Sequence, residues 1–435
     1  DHIIGSHGSI DVLINCAGVI VYDSPTWLTT VEEWDNMMEV NVKGTFLCCR
    51  SVIPHMIDGS GGCIINMGSS SARMADDEYG PYTATKWAVA GYTASLARSV
   101  RQYNIRVNGI NPGWVDTDMA RLFNPDIDDS NYEFFHSKLD TEVLGAIRYY
   151  HQANHDNYQL LDKQTAIDEI LLYKKHGGVS VVDATSIGVC RNPQGLRDIS
   201  EQTGINIIMG SGFYVNDSHP DYVENISVKK LAEHIISDIL EGVEDTGIKS
   251  GIIGEIGCSW PLTVNEKKVL AASAIAQKET GSSILIHLGR NERSHEEILE
   301  VLIENKADLN RTILGHIDRT VFDRQQQIDI AKTGCYLEWD LFGNESSFYR
   351  PNPSINHPND GTKLNDVLDL VIKGYGNKIL FSQDICTKHR LIKYGGHGYA
   401  YILKHIVPYM YSRGFTKQAI ENILVNNPAD ALTFV

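Results

Sequence analysis

Two regimes of alternation between apolar and polar stretches run along the chain. In the first, apolar runs at Asp11 to Asn15, Cys63 to Met67 and Ile105 to Ile110 are separated by helical stretches. The runs are continuous instead of alternating, which is the pattern of strands buried on both faces, so a parallel sheet covered by helices is predicted. Polar residues then interrupt the chain at Asn124-Pro125-Asp126-Ile127-Asp128-Asp129, and the junction is expected between Phe123 and about Asn131. From Leu144 a second alternation begins. Strands are expected at Val179 to Asp183, Ile205 to Gly210, Gly251 to Glu255, Ile284 to His287, Ile313 to His316, Cys335 to Trp339 and Ile379 to Asp384. Asp162 is placed to cap a helix ending at His176 before Gly177-Gly178. Thr263 with Glu266, and Ser294 with Glu297, have the spacing of capping boxes opening two further helices. The fold class is therefore α/β in both halves: a partial doubly wound sheet over residues 1–121, a junction over 122–142, and a (β/α)8-type barrel over 143–435. That last stretch exceeds the roughly 250 residues typical of a barrel. Its seven legible strands are one short of closure.

The barrel reading gives the chemistry a place. Four of the apolar runs end in metal-ligand residue types: Glu255, His287, His316 and Asp384. The C-terminal ends of barrel strands converge on one face, so these four are expected to meet there. One Glu, two His and one Asp suit a borderline or hard divalent ion such as zinc. In the first half, Tyr82 and Lys86 lie four residues apart on the helix expected from about Tyr82 to Arg101 and so share a face. An ammonium beside a phenol lowers the phenol's pKa, which a general acid/base needs near neutrality.

Composition narrows the partners. With 38 basic against 55 acidic residues, a net charge of -17 and no basic block, a general affinity for nucleic acid or anionic membrane is excluded. A small-molecule substrate is the remaining expectation. No apolar run approaches the roughly 20 residues needed to span a bilayer, and no signal peptide is seen. Eight cysteines without a CxxC pair read as reduced, buried thiols of a cytoplasmic protein. The chain opens at Asp1 without a methionine, as a fragment would.

Asn15-Cys16-Ala17-Gly18, Asn41-Val42-Lys43-Gly44, Ser69, Tyr82-Thr83-Ala84-Thr85-Lys86, Asn108 and Pro112-Gly113-Trp114-Val115-Asp116-Thr117 occur in that order. Together they resemble the short-chain dehydrogenase/reductases, over residues 1–121. The resemblance implies a Rossmann-like sheet binding NAD(P), with Asn15, Ala17, Gly18, Lys86 and Thr117 at the cofactor. It also implies Tyr82 as proton donor or acceptor, Lys86 tuning it and holding the ribose, Ser69 polarising the carbonyl, and Asn41 supporting a proton relay. The family's glycine-rich phosphate turn would precede Asp11, where only Gly5 and Gly8 stand, with no strand entering and no helix leaving. The N-terminal segment is therefore expected not to bind the cofactor usefully. Fluorescence titration with NADH and NADPH checks this, and micromolar binding of either would refute it.

The second half resembles the phosphotriesterase-related proteins of the amidohydrolase superfamily from about residue 143 to Val435. The resemblance rests on Gly212-Phe213-Tyr214-Val215, Gly254-Glu255-Ile256-Gly257-Cys258-Ser259-Trp260-Pro261-Leu262, Ile286-His287-Leu288-Gly289-Arg290, Gly315-His316-Ile317-Asp318-Arg319-Thr320, Cys335-Tyr336-Leu337-Glu338-Trp339-Asp340-Leu341-Phe342-Gly343, Asp384, Thr387-Lys388-His389-Arg390-Leu391 and Tyr394-Gly395-Gly396-His397-Gly398-Tyr399. It implies Glu255 bridging two metal ions, His287 and His316 on one of them, and Asp384 on the other and acting as general base. Metal-activated hydroxide would attack an ester, an amide such as that of an N-acetyl amino sulfonate, or a phosphotriester. Arg290, Tyr214, His389 and Arg319 become candidates to meet an anionic substrate.

The family's first strand, with its His-x-His pair, has no counterpart here. His136 is followed by Lys138 where the second His would fall, and His151 and His155 at i, i+4 spacing are not led by a strand. The barrel is accordingly expected to lack its first strand and to hold at most one tight ion, at Glu255, His287 and His316, with hydrolysis impaired. Two truncated parents abutting at one junction is the pattern of a gene fusion with deletions or of an erroneous gene model. The chain thus reads first as a metal-dependent hydrolase, with an NAD(P)-dependent oxidoreductase or a catalytically inactive fusion as alternatives.

Overall fold

In a computed structural model of the chain, residues 2–21, 26–59, 61–72, 80–112, 134–150, 153–350 and 352–435 are described. The expected junction falls largely outside them, as do Thr117 and His151. The chain divides into two compact units, Asp1–Tyr132 and Glu133–Val435.

The first unit is built on three parallel strands in the order β1-β2-β3: β1 Val12–Asn15, β2 Gly62–Met67 and β3 Ile105–Ile110. Each lies within a residue of its expected position. The register sets Asn15 beside Asn66 and Asn66 beside Gly109. Ile64, Ile105 and Val107 pack with Cys49 and Met56 of helix Thr45–Asp58 and Val100 of helix Gly80–Val100 into one core. The segment before β1 departs from expectation: His2–His7 is a short helix with Gly5 inside it. Local i to i+4 bonding, seen in Gly8 N donating to Ile4 O at 2.8 Å, suffices to wind it.

The second unit is a curled sheet of seven parallel strands whose neighbours follow chain order. They are β4 Ser180–Asp183, β5 Asn206–Ser211, β6 Ile252–Gly257, β7 Ile284–His287, β8 Thr312–Leu314, β9 Tyr336–Trp339 and β10 Ile379–Phe381. Side chains alternate as strand geometry requires. Ile252, Leu285, Ile313, Tyr336 and Leu380 form one cluster, while their neighbours Ile253, Ile286, Leu314, Leu337 and Ile379 belong to the larger core shared with the helices. Strands β8 and β10 stop short of His316 and Asp384, which were expected inside them. Both residues adopt left-handed backbone, φ 58° and 45°, which takes them out of the ladder.

Among the described residues β4 and β10 do not pair with each other. The segment before β4 is instead tied to the loop after β10. Lys388 Nζ meets Asp156 at 2.7 Å, His389 N donates to Asn157 Oδ1 at 2.9 Å, and Lys393 N donates to Glu169 Oε1 at 2.9 Å.

Two expected helix starts hold. Asp162 accepts from Gln164 N, and Thr263 and Glu266 form a reciprocal capping box ahead of Val264–Thr280. The third does not: helix Ser294–Glu304 starts after Arg293 without a side-chain cap. Distant partners claim both side chains, Ser294 Oγ donating to Gly289 O and Glu297 accepting from Leu262 N while pairing with Lys267. The cysteines are all free; Cys49, Cys258 and Cys335 are buried, whereas Cys16, Cys48, Cys190 and Cys386 are exposed. No helix among the described residues is long and apolar enough to cross a membrane.

Candidate active site

The strand ends bring Glu255, His287 and His316 together, with one ligand atom from each within 4.8 Å of the others. β6 is irregular where it supplies Glu255. Its pairing to β7 shifts between Ile253 and Ile256, then resumes with Gly257 beside His287. Such an irregularity re-aims one side chain within a strand. Glu255 Oε1 lies 3.1 Å from His287 Nδ1 and 3.2 Å from His316 Nε2, and the two ring nitrogens are 2.8 Å apart. Ligands about 2.0–2.1 Å from a tetrahedral zinc stand about 3.3 Å from one another. The three atoms therefore need only a few tenths of an ångström of outward movement to hold one ion, and their chemistry, one carboxylate and two imidazoles, suits it.

The second nitrogen of His316 strengthens the fit. Its Nδ1 is 2.9 Å from Asp340 Oδ1, and Asp340 Oδ2 accepts from the His316 backbone N at 2.6 Å. A carboxylate on the far nitrogen fixes the tautomer and ring orientation of a metal-ligating His. His287 is placed differently. Its Nε2 faces an N–H of Arg319 at 3.2 Å and the Tyr214 hydroxyl at 3.5 Å. With Nδ1 given to an ion the ring proton sits on Nε2. Tyr214 can accept it and Arg319 cannot.

Electrostatics follow from this crowding. Burial raises the Glu255 carboxyl, but His287 and His316 outweigh it and hold the group well below the usual range. His287 is pushed down to about 4 by burial, against the pull of Glu255. His316 goes the other way: burial and Arg319 disfavour its charge, yet Asp340 and Glu255 raise it well above the ordinary value. Burial, with Asp340 next, raises Asp318 to about 7 and Glu338 well above a normal carboxyl.

Asp384 does not join the three-group cluster. It is half-buried, and burial together with Asp340 and Glu255 raises its carboxyl while His316 opposes them. The other candidates separate. Tyr214 Oη is 3.3 Å from His287 Nδ1, and Arg319 is buried against His287 and the Leu288 carbonyl. Arg290 is exposed, with Nε donating to Tyr349 Oη at 3.2 Å. His389 is engaged by Thr387 and Asn157. His155 bonds Gln159 and its ring lies 6.4 Å from that of His136, and neither ring enters the cluster.

In the N-terminal unit, Asn41 Oδ1 accepts from Val19 N at 2.7 Å and its Nδ2 donates to Val19 O and Thr85 Oγ1. Asn41 sits in a π-helical turn, Met38–Gly44, a form that often marks functional positions. Asn15 donates to Asn66 Oδ1 at 2.8 Å, and a Cβ on Gly18 would lie 3.6 Å from Lys86 Nζ. Ala17 is exposed in the loop after β1. Lys86 Nζ stands 5.4 Å from the Tyr82 ring centroid, and Ser69 is close enough to Tyr82 to act on its hydroxyl. The expected tuning of Tyr82 is not found, however. Burial raises its pKa, with Ser69 opposing, and Lys86 Nζ donates to the Met67 carbonyl at 3.1 Å.

Residues 123–432 match the model of the phosphotriesterase family. The chain belongs to that family. Residues 1–128 of this phosphotriesterase-family chain match the short chain dehydrogenase model. It is 46% identical to the N-acetyltaurine hydrolase of Mus musculus over 283 residues, 65% of this chain and 81% of that protein. Its fold resembles a resiniferatoxin-binding protein from Rhodobacter sphaeroides, with 33% identity and a TM-score of 0.68, covering 72% of this chain and 88% of that one. It also resembles a lactonase from Listeria monocytogenes, with 26% identity and a TM-score of 0.58, covering 69% and 94%.

Two residues of this family member's site lay within quoted motifs but were given no role by the sequence. Alternation in β9 puts Glu338 on the same face as Tyr336, so a carboxylate in an otherwise apolar strand was the available signal. Asp340 lies one residue beyond the strand, where its carboxylate accepts from the backbone N of His316 in its left-handed turn.

Proposed function

We propose that the chain is a metal-assisted hydrolase of a small ester or amide, and that one divalent ion, zinc by the chemistry of its ligands, is held by Glu255, His287 and His316. The convergence of those three donor atoms, with Asp340 fixing His316, carries the reading. When bound, the ion supplies an activated water and polarises the scissile carbonyl. Asp384, its carboxyl raised by burial, is suited to take the proton of the attacking water and return it to the leaving nitrogen or oxygen. Water's oxygen bonds to the acyl carbon, the C–N or C–O bond breaks, and the departing group leaves protonated. The N-acetyltaurine hydrolase and lactonase relatives make an N-acyl amide and a lactone the substrates to try. Purified chain should contain one equivalent of zinc by elemental analysis and hydrolyse at least one of the two slowly, with loss on chelation and recovery on adding zinc. Two equivalents of zinc would refute the single-ion assignment. Absence of any chelator-sensitive hydrolysis would refute the enzyme.

A further inference from the structure

The two sheets treat their open edges differently. In the second unit, the backbone groups of Ser180 in β4 and Ile379 in β10 point away from the neighbouring strand, and side chains meet both carbonyls. Tyr173 Oη donates to Ser180 O at 2.9 Å, and Asn427 Nδ2 donates to Ile379 O at 2.8 Å. In the first unit, β1 lies at the edge of its sheet and pairs on one side only, with β2. Cys63 N donates to Asp11 O at 2.9 Å. Successive residues of a strand turn their backbone groups to opposite sides, so Asp11, Leu13 and Asn15 face β2 while Val12 and Ile14 face outward. Among the described residues no group pairs with the outward N–H and C=O of either. Their side chains are 55% and 54% exposed, although both are β-branched and apolar. Val12–Asn15 also holds no lysine, proline or bulge, the devices that blunt an exposed edge. The opposite edge strand, β3, is a poorer partner, since it carries exposed Arg106 and Gly109.

An edge with unpaired backbone groups and exposed apolar side chains fits one kind of occupant, another strand, and a second copy of the chain supplies one in matching register. With the two β1 strands antiparallel about a two-fold axis at Leu13, Val12 lies opposite Ile14 of the second copy and the two exchange both of their backbone bonds. Asp11 then lies opposite Asn15 of the second copy, a carboxylate against an amide, so no like charges meet across the axis. We propose that the β1 edge is a self-association surface, through which two copies of this chain join their three-stranded sheets into one continuous sheet. The surface stands apart from the hydrolase site. A strand of four residues makes a small contact, so the dimer is expected to form in the micromolar range and not the nanomolar. Sedimentation velocity of the full chain over a concentration series, with hydrogen exchange at the Val12 and Ile14 amides, tests it for wild type, Ile14→Pro and Ile14→Lys. Proline removes an N–H that faces outward and leaves the pairing of β1 with β2 intact, and lysine puts a charge on the exposed face. Wild type should dimerise, with both amides protected only in the dimer, and each variant should weaken association by at least about 10-fold with an unchanged far-UV spectrum. Lysine, at an exposed position, decides alone if proline disturbs the sheet. A wild type that stays monomeric overturns the proposal, as does a dimer that the variants leave undiminished. Protection of the two amides in the monomer would do the same, because the chain's own residues would then cover the edge.

Discussion

Replacing His287 and His316 together by alanine should empty the candidate metal centre and lower any hydrolytic turnover by about 10³-fold or more. The estimate follows from the ligand set. Each histidine supplies one of three donor atoms, and a lone Glu255 is too little to hold a divalent ion firmly. Without the ion there is no Lewis acid and no activated water, a loss of several kcal/mol in transition-state stabilisation. Asp340→Asn provides a graded comparison. It keeps all three ligands but removes the carboxylate that meets both the ring and the backbone N of His316, and a loss of about 10–100-fold in metal affinity is expected. Elemental analysis and a competitive chelator assay read both variants. One equivalent of zinc surviving in the double variant would place the ion elsewhere in the chain.

The strands were legible because a parallel sheet covered on both faces leaves continuous apolar runs, and all seven of the second unit appear within a few residues of their expected bounds. The three-ligand cluster was legible for the same reason, since a polar residue closing such a run is forced to the strand's end. What the sequence did not show is set by backbone turns and by competition among partners. The left-handed conformations at His316 and Asp384 cannot be read from their residue types, so the expected strands ran too far and the Asp340 contact was missed. The Ser294–Glu297 spacing met the capping rule, yet Lys267 and the Leu262 amide hold Glu297 instead. In the N-terminal unit, the i, i+4 spacing put Tyr82 and Lys86 on one helix face, and Lys86 Nζ stands 5.4 Å from the Tyr82 ring centroid. The spacing could not reveal that the Lys86 ammonium turns to the Met67 carbonyl or that burial dominates the Tyr82 phenol.

Gly257→Ala should destabilise the second unit by about 3 kcal/mol or more and disturb the site at the same time. Gly257 ends β6 opposite His287, and its N donates to Phe213 O at 3.1 Å, so β6 and the segment after β5 run together at this point. A Cβ there would lie 2.1 Å from Val215 N and 2.3 Å from the carbonyl carbon of Tyr214. Both are backbone atoms and no rotamer change can relieve the clash. The neighbouring Tyr214 N is itself tied to Ile187 O at 2.9 Å, which leaves that segment little room to retreat. Relief must come from parting β6 from the 213–215 segment, and the parting moves Tyr214 away from His287 or Glu255 away from both histidines. Gly145→Ala is the control, because Gly145 lies in helix Thr141–Tyr150 with nothing within 4 Å of its added carbon, and there alanine should be neutral or stabilising by up to about 1 kcal/mol. Urea denaturation of the two variants, followed by tryptophan fluorescence, measures the contrast. Equal midpoints for Gly257→Ala and wild type would mean that the close approach of β6 to Tyr214 does not exist in solution.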